Sequence, residues 1–235
     1  MRTQELLERL SHGPFSNLSI GNEGDGTIKP DKIAAIIGYA NDGLTRLYTR
    51  FTLSEKELIL ELKEEITSYR LHSKYAYSKF VVGQTFEPYI LDADHDKFED
   101  DLIKVLTVHR TGHGRLPLND TGVIGSLYTP MVDVLQVPDP WPGVPLFVTY
   151  QAKHPKLLVG GISTSEIDLP TVLEDALMNY IAHKVFSFMN GKEHVSRAAD
   201  LLSAYENICA EVKEHDLVSA SLSNTNTKFQ SRGFV

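Results

Sequence analysis

Residues 169–212 read LPTVLEDALMNYIAHKVFSFMNGKEHVSRAADLLSAYENICAEV, and the reading of this stretch decides the fold. Val172, Leu173, Ala176, Leu177, Tyr180, Ile181, Val185, Phe188 and Met189 recur at three- and four-residue steps, the period of an amphipathic helix. Pro170 stands close to the first turn, where a missing N–H leaves no bond unmade. Asn190 and Gly191 stop the helix, and Val195, Ala198, Ala199, Leu202, Tyr205, Ile208, Cys209 and Val212 then draw a second stripe. A break this short turns the chain back on itself, so the two helices form an antiparallel hairpin.

Toward the N-terminus, residues 32–62 read KIAAIIGYANDGLTRLYTRFTLSEKELILEL. Ile33, Ile36, Ile37, Ala40, Leu44, Leu47, Tyr48 and Phe51 give one apolar stripe of a long helix, with Asp31 placed to cap it. Ala34, Ala35 and Gly38 leave another face small, which suits close approach by a second helix or a neighbouring subunit. Residues 2–10 form a short helix with Leu6, Leu7 and Leu10 on one side, joined to the long one by a Gly- and Pro-rich loop over 12–30. The core of these helices is expected at Ile37, Leu47, Leu177, Ile181, Leu202 and Ile208.

After Phe51 the period shortens to two. Leu58, Leu60 and Leu62 alternate with Glu57, Ile59 and Glu61, which predicts a strand even though Ser54 to Glu57 has the spacing of a helix capping box. Further strands are predicted over 69–80, 86–91, 102–110, 131–137 and 146–152, enough for a small antiparallel sheet or sandwich. Residues 137–145, VPDPWPGVP, hold the sole tryptophan, Trp141, beside Pro142. The prolines make this loop a rigid corner on the sheet, or a preorganised contact surface for a partner. The resulting class is α+β. A helical bundle of about four helices from residues 1–51 and 166–214 carries an inserted antiparallel β-rich region over 52–165 and an extended C-terminal arm over 215–235.

No stretch approaches the roughly 20 apolar residues that span a bilayer, so no membrane partner and a soluble, intracellular product are expected. The net charge of −8 disfavours a nucleic-acid-coating role, which needs cations to displace phosphate counterions. Cys209 is the one cysteine and sits on an apolar stripe, so it reads as a packed core thiol. Asp92, Asp94 and Asp96 open like a calcium loop, but Lys97 and Ile103 occupy the positions of the turn glycine and the bidentate glutamate. With Glu99, Asp100 and Asp101 that stretch reads as a solvated acidic loop. His109 and His113 lack a third metal ligand, and the chain has no HExxH, P-loop, G-x-G-x-x-G or nucleophile-elbow sequence. No catalytic residue, cofactor or metal is therefore assigned, although paired carboxylates can still meet in space. Arg70, Lys74 and Lys79 interleave with Tyr69, Tyr75, Tyr77 and Phe80, a mixture suited to stacking on single-stranded nucleic acid. A strand that turns aromatics inward and cations to water has the same composition.

Beyond His215 the chain reads DLVSASLSNTNTKFQSRGFV, polar and without periodicity. Lys228, Phe229, Arg232, Phe234 and Val235 are its cationic and apolar anchors, which makes it either a frayed terminus or an arm that docks on a partner. The patterns at 32–62 and 169–212 together resemble the head-to-tail adaptor proteins of tailed bacteriophages, the family of tail tubular A-like and head-completion connectors. The resemblance covers the helical parts, while the middle matches in plan. It implies a structural, non-enzymatic virion protein at the head–tail junction, assembled in the host cytoplasm as a homo-oligomeric ring, commonly a dodecamer. Its partners would be the portal protein ring above and a tail or nozzle protein below. Double-stranded DNA would pass through the lumen without sequence-specific contact. A tail-associated hydrolase of envelope polysaccharide would need converging carboxylates, and a host scaffold or interaction module would share the fold without recognising portals.

Overall fold

The computed structural model describes residues 1–16, 18, 27–81, 86–92, 97–111 and 114–218. Among them stand four helices and seven strands, every strand pairing antiparallel, so the chain is α+β. It divides into two compact units, one made of Met1–Leu53 with Lys156–Val235 and the other of Ser54–Pro155.

The first unit holds α1 (Thr3–His12), α2 (Pro30–Arg50), α3 (Thr171–Ser187) and α4 (Lys192–Glu214). Tyr180 packs on Tyr205, His183 Nδ1 lies 2.9 Å from the Ala198 carbonyl oxygen, and Phe186 meets His194. Partners fall along α4 as positions rise along α3, so the hairpin is antiparallel as its short turn requires. Helix α3 touches α1, α2 and α4, and its buried arc widens accordingly: Ala182 and Phe186 join Leu177 and Ile181 inside. The edges of the expected stripe fall outside that arc, because Val172 and Phe188 are exposed, the latter stacked on Tyr39. Helix α4 packs chiefly on α3 and buries a narrower strip of Ala198, Tyr205, Cys209 and Val212. Val195 and Ala199 are exposed, and the expected core positions Leu202 and Ile208 are half-buried. Asp31 is not the cap of α2, since the helix starts at Pro30 with Lys29 before it. Proline favours that first position because its N–H would have no partner there.

Helix α2 lies tightly against α3 at Gly43. A methyl group there would stand 2.8 Å from Leu177 Cδ1 and 2.9 Å from Tyr180 Cδ1, inside van der Waals contact. Ala34, Ala35 and Gly38, the small face expected to admit a neighbour, are exposed. The segment from 157 to 169 is tied along the helices. Asn41 accepts from Leu157 N–H at 2.8 Å and donates to Leu157 O at 3.0 Å, Thr3 Oγ1 donates to Ser165 O at 3.1 Å, and Tyr48 Oη donates to Asp168 O. These bonds explain why residues 156–165, placed with the β region on sequence grounds, belong to the helical unit.

The second unit holds two sheets. The first has the order β3-β1-β7-β4, with β1 at Glu55–Glu61, β3 at Ile90–Leu91, β4 at Leu102–Arg110 and β7 at Pro145–Ala152. Leu58 pairs with Val148 and Leu60 with Leu146, and all four are buried, so one face of the strand pair feeds the core. The second sheet has the order β2-β6-β5, with β2 at Ser68–Arg70, β5 at Tyr128–Met131 and β6 at Val134–Gln136. The predicted strand over 131–137 is a hairpin, turned at Val132 and Asp133 between the paired Met131 and Val134. The predicted strand over 86–91 shrinks to Ile90–Leu91. The one over 69–80 survives only at Ser68–Arg70 and gives way to two 3-10 turns, Ser73–Tyr75 and Tyr77–Lys79.

Candidate functional site

The 3-10 turns form where carboxylates from later in the chain bind Ser73, the first residue of one, and Ser78, the second of the other. Asp100 accepts from both the N–H and the hydroxyl of Ser73, and Asp92 does the same for Ser78. Each pair holds a turn where a strand ladder would otherwise continue, because the serine N–H is given to a carboxylate and not to a neighbouring strand. Among the described acids of this stretch Asp100 sits at φ +60°, and Asp101 bonds Tyr150 Oη at 3.0 Å and Lys56 Nζ at 2.8 Å, so these are not simply solvated, while Asp94 and Asp96 lie outside the described residues. Burial works against the charge on Asp100, but the Ser73 N–H and hydroxyl outweigh it and hold the carboxyl below its usual range.

Two tyrosines fix the ground beside β2. Tyr69 Oη accepts from Lys63 N–H at 2.9 Å and donates to Lys63 O at 3.1 Å, closing the turn between β1 and β2. Tyr89 Oη in the same way accepts from Arg70 N–H and donates to Arg70 O, both at 3.0 Å, so a side chain occupies the backbone edge of β2. Burial raises the pKa of both phenols. Tyr75 stacks on Tyr89 at 4.8 Å and meets the edge of Phe86 at 5.2 Å. Around this aromatic group opens a cleft of about 660 Å³, floored by Ile66, Tyr75 and Phe86 and rimmed by Arg70, Glu64 and Glu87. Next to it Tyr77 donates to Glu61, which also pairs with Lys63 at 3.0 Å. The bond from Tyr77, then that from Lys63, lower the Glu61 pKa.

The expected nucleic-acid residues separate on these elements. Arg70, Lys74 and Lys79 are exposed, on β2 and on the first and second 3-10 turns. Tyr69 is fully buried and Tyr75 is taken up by Tyr89, Phe86 and the Lys74 ammonium 4.7 Å from its centroid. Tyr77 and Phe80 remain as the exposed aromatics of 69–80, with Glu61, Asp92 and Asp100 bonded into the same segment. Trp141 is half-buried against the core of the β unit, with the Arg110 guanidinium 4.7 Å above its ring, and Pro142 beside it is exposed. The half-buried ring and the exposed proline are compatible with a rigid corner and with a partner-contact loop alike. The arm anchors Lys228, Phe229, Arg232, Phe234 and Val235 lie outside the described residues, as does His113.

The cleft was not visible in the sequence. It is assembled from residues 63–70, 75 and 86–89, and no single window carries its aromatic floor. No family model matches this chain, and no curated protein sequence matches it either.

Proposed function

We propose that this chain is a head-to-tail adaptor of a tailed bacteriophage, a structural protein without turnover that sits as a ring between portal and tail. The observation that carries the reading is the discontinuous helical unit. The chain completes α1 and α2, leaves at Leu53 for a self-contained sheet unit, and re-enters at Lys156 for the α3–α4 hairpin. The resemblance at 32–62 and 169–212 covers α2, α3 and α4, which frame this insertion, and runs on into β1 at its start. In this reading α1 to α4 form the bundle and residues 215–235 the portal-docking arm, with Phe229 and Phe234 as apolar anchors and Lys228 and Arg232 as cations for portal carboxylates. A net charge of −8 suits a lumen that lets DNA slide, because it offers the duplex no counterion release.

Co-sedimentation with purified portal rings tests the proposal. The full chain should travel with the rings, and a chain ending at Val218 should not, while its helical content stays the same because every described contact is kept. A truncated chain that binds as well as the full one removes the arm from the account, and a full chain that never binds removes the adaptor. One observation favours a second reading: Glu64, Glu65 and Glu87 gather at the β2 cleft, as a polysaccharide hydrolase would require. Release of reducing ends from host envelope polysaccharide, abolished by Glu87→Gln, would establish that reading instead.

A further inference from the structure

The turn between α3 and α4 carries the one Asn-Gly pair of the chain, Asn190–Gly191. Asparagine loses its side-chain amide when the main-chain nitrogen of the next residue reaches its Cγ, and glycine offers that nitrogen with no side chain in the way. The attack needs an asparagine amide that is not held elsewhere and a following N–H that is not committed to a hydrogen bond.

The fold denies these conditions to the other described asparagines. Asn41 is held through both its amide atoms by Leu157, and Asn119 through both of its own by Thr129. The nitrogen that would attack Asn119 belongs to Asp120, and its N–H donates to Ser126 Oγ at 3.1 Å. Asn179 and Asn207 lie inside α3 and α4, where the N–H groups of Tyr180 and Ile208 belong to the helical ladder.

At Asn190 both conditions are met. Asn190 and Gly191 are exposed, and the Asn190 side chain has no hydrogen-bond partner among the described residues. The Gly191 N–H donates to none of them either, while the Gly191 carbonyl accepts from Val195 N–H at 3.2 Å. Gly191 sits at φ +124°, so the turn itself requires a residue without a Cβ. The same requirement leaves the nitrogen next to Asn190 unshielded.

We propose that Asn190 is a site of spontaneous deamidation. The Gly191 nitrogen bonds to Asn190 Cγ, the bond from Cγ to Nδ2 breaks, and ammonia leaves with the proton that Gly191 gave up. Water then adds to the cyclic succinimide. Opening at one carbonyl yields aspartate, and opening at the other yields iso-aspartate, whose main chain runs through the β-carbon and is longer by a methylene. Either product sets a new carboxylate just before Gly191, the N-cap of α4, where the helix dipole favours negative charge. The inference does not depend on the adaptor reading.

Ageing the purified full chain at physiological temperature and mildly alkaline pH tests it, with rapid trypsin digestion and mass spectrometry of fresh and aged samples. The peptide of residues 185–192 should shift from the mass of the amide to that of the acid. An iso-aspartyl methyltransferase should label the aged peptide and not the fresh one. Asn190→Gln should abolish both signals, and the peptides carrying Asn41 and Asn119 should keep their masses over the same period. A 185–192 peptide that keeps its amide mass in the aged folded chain overturns the proposal. So does conversion of Asn41 or Asn119 ahead of Asn190, or methyl labelling that persists in the Asn190→Gln chain.

Discussion

Gly43 shows how one missing atom sets a helix crossing. Replacing glycine by alanine in a helix ordinarily stabilises by about 0.5–1 kcal/mol. Here the new methyl meets Leu177 and Tyr180 inside van der Waals distance, and both are held in a buried helix face. Overpacking of that kind costs about 1–3 kcal/mol, so Gly43→Ala should lower the thermal midpoint where an exposed site such as Gly38 should not. Tyr48 makes a second residue-scale prediction. Burial, and then the charge of Asp168, push its phenol up to about 12 from an ordinary 10.0, and burial does the same to Tyr205. Because the folded chain keeps these protons where the unfolded chain releases them, the stability they contribute is complete below pH 10 and lost as pH rises toward 12. Tyr48→Phe should cost about 1 kcal/mol at neutral pH through the lost bond to the Asp168 carbonyl, and it should flatten the decline in denaturation midpoint across that alkaline window. An equally steep decline in the variant would remove Tyr48 from the alkaline transition.

Among the elements, what could be read in advance was whatever local pattern decides. Leu58 and Leu60 on β1, and Leu146 and Val148 on β7, alternate because one face is buried, and the same alternation is visible in the residues alone. Residues 69–80 also alternate, with Tyr69, Leu71, Ser73 and Tyr75 inward, yet the chain makes 3-10 turns there, where Asp92 and Asp100 capture Ser78 and Ser73. Those caps lie 14 and 27 residues away, beyond any local window. The exposure of Arg70, Lys74 and Lys79 follows from their charge, whereas the cleft beside them depends on how three separate pieces of chain meet. Asn41 hid its role for the same reason: within GYANDG it looks like one more polar helix position, and only the return of Leu157 gives it two backbone partners. Removing an element-scale cap should therefore loosen more than one residue. Asp100→Ala should lower the stability of the β unit by about 1–2 kcal/mol, the lower part of the range for a charged cap because the side chain is 41% exposed. Amide exchange should quicken across Ser73–Tyr75, and Asp100→Asn, which tolerates the left-handed backbone, should lose less. Unchanged exchange at Ser73 in the alanine variant would show that the turns hold without the carboxylate.

For the whole molecule, each unit encloses its own core: the helical one around α3, the other between β1, β7 and the residues that cover them. A chain that interrupts its helices with a complete sheet unit presents two surfaces of different construction, and an adaptor between two rings has use for both. On the adaptor proposal the helical unit with the arm would meet the portal, and the β unit would meet the tail. Electron microscopy of purified portal rings mixed with an excess of the full chain tests that most directly. The account predicts one added annulus coaxial with the portal, in closed rotational symmetry and with an open lumen. Portal rings that stay bare at every ratio of chain to portal would contradict it.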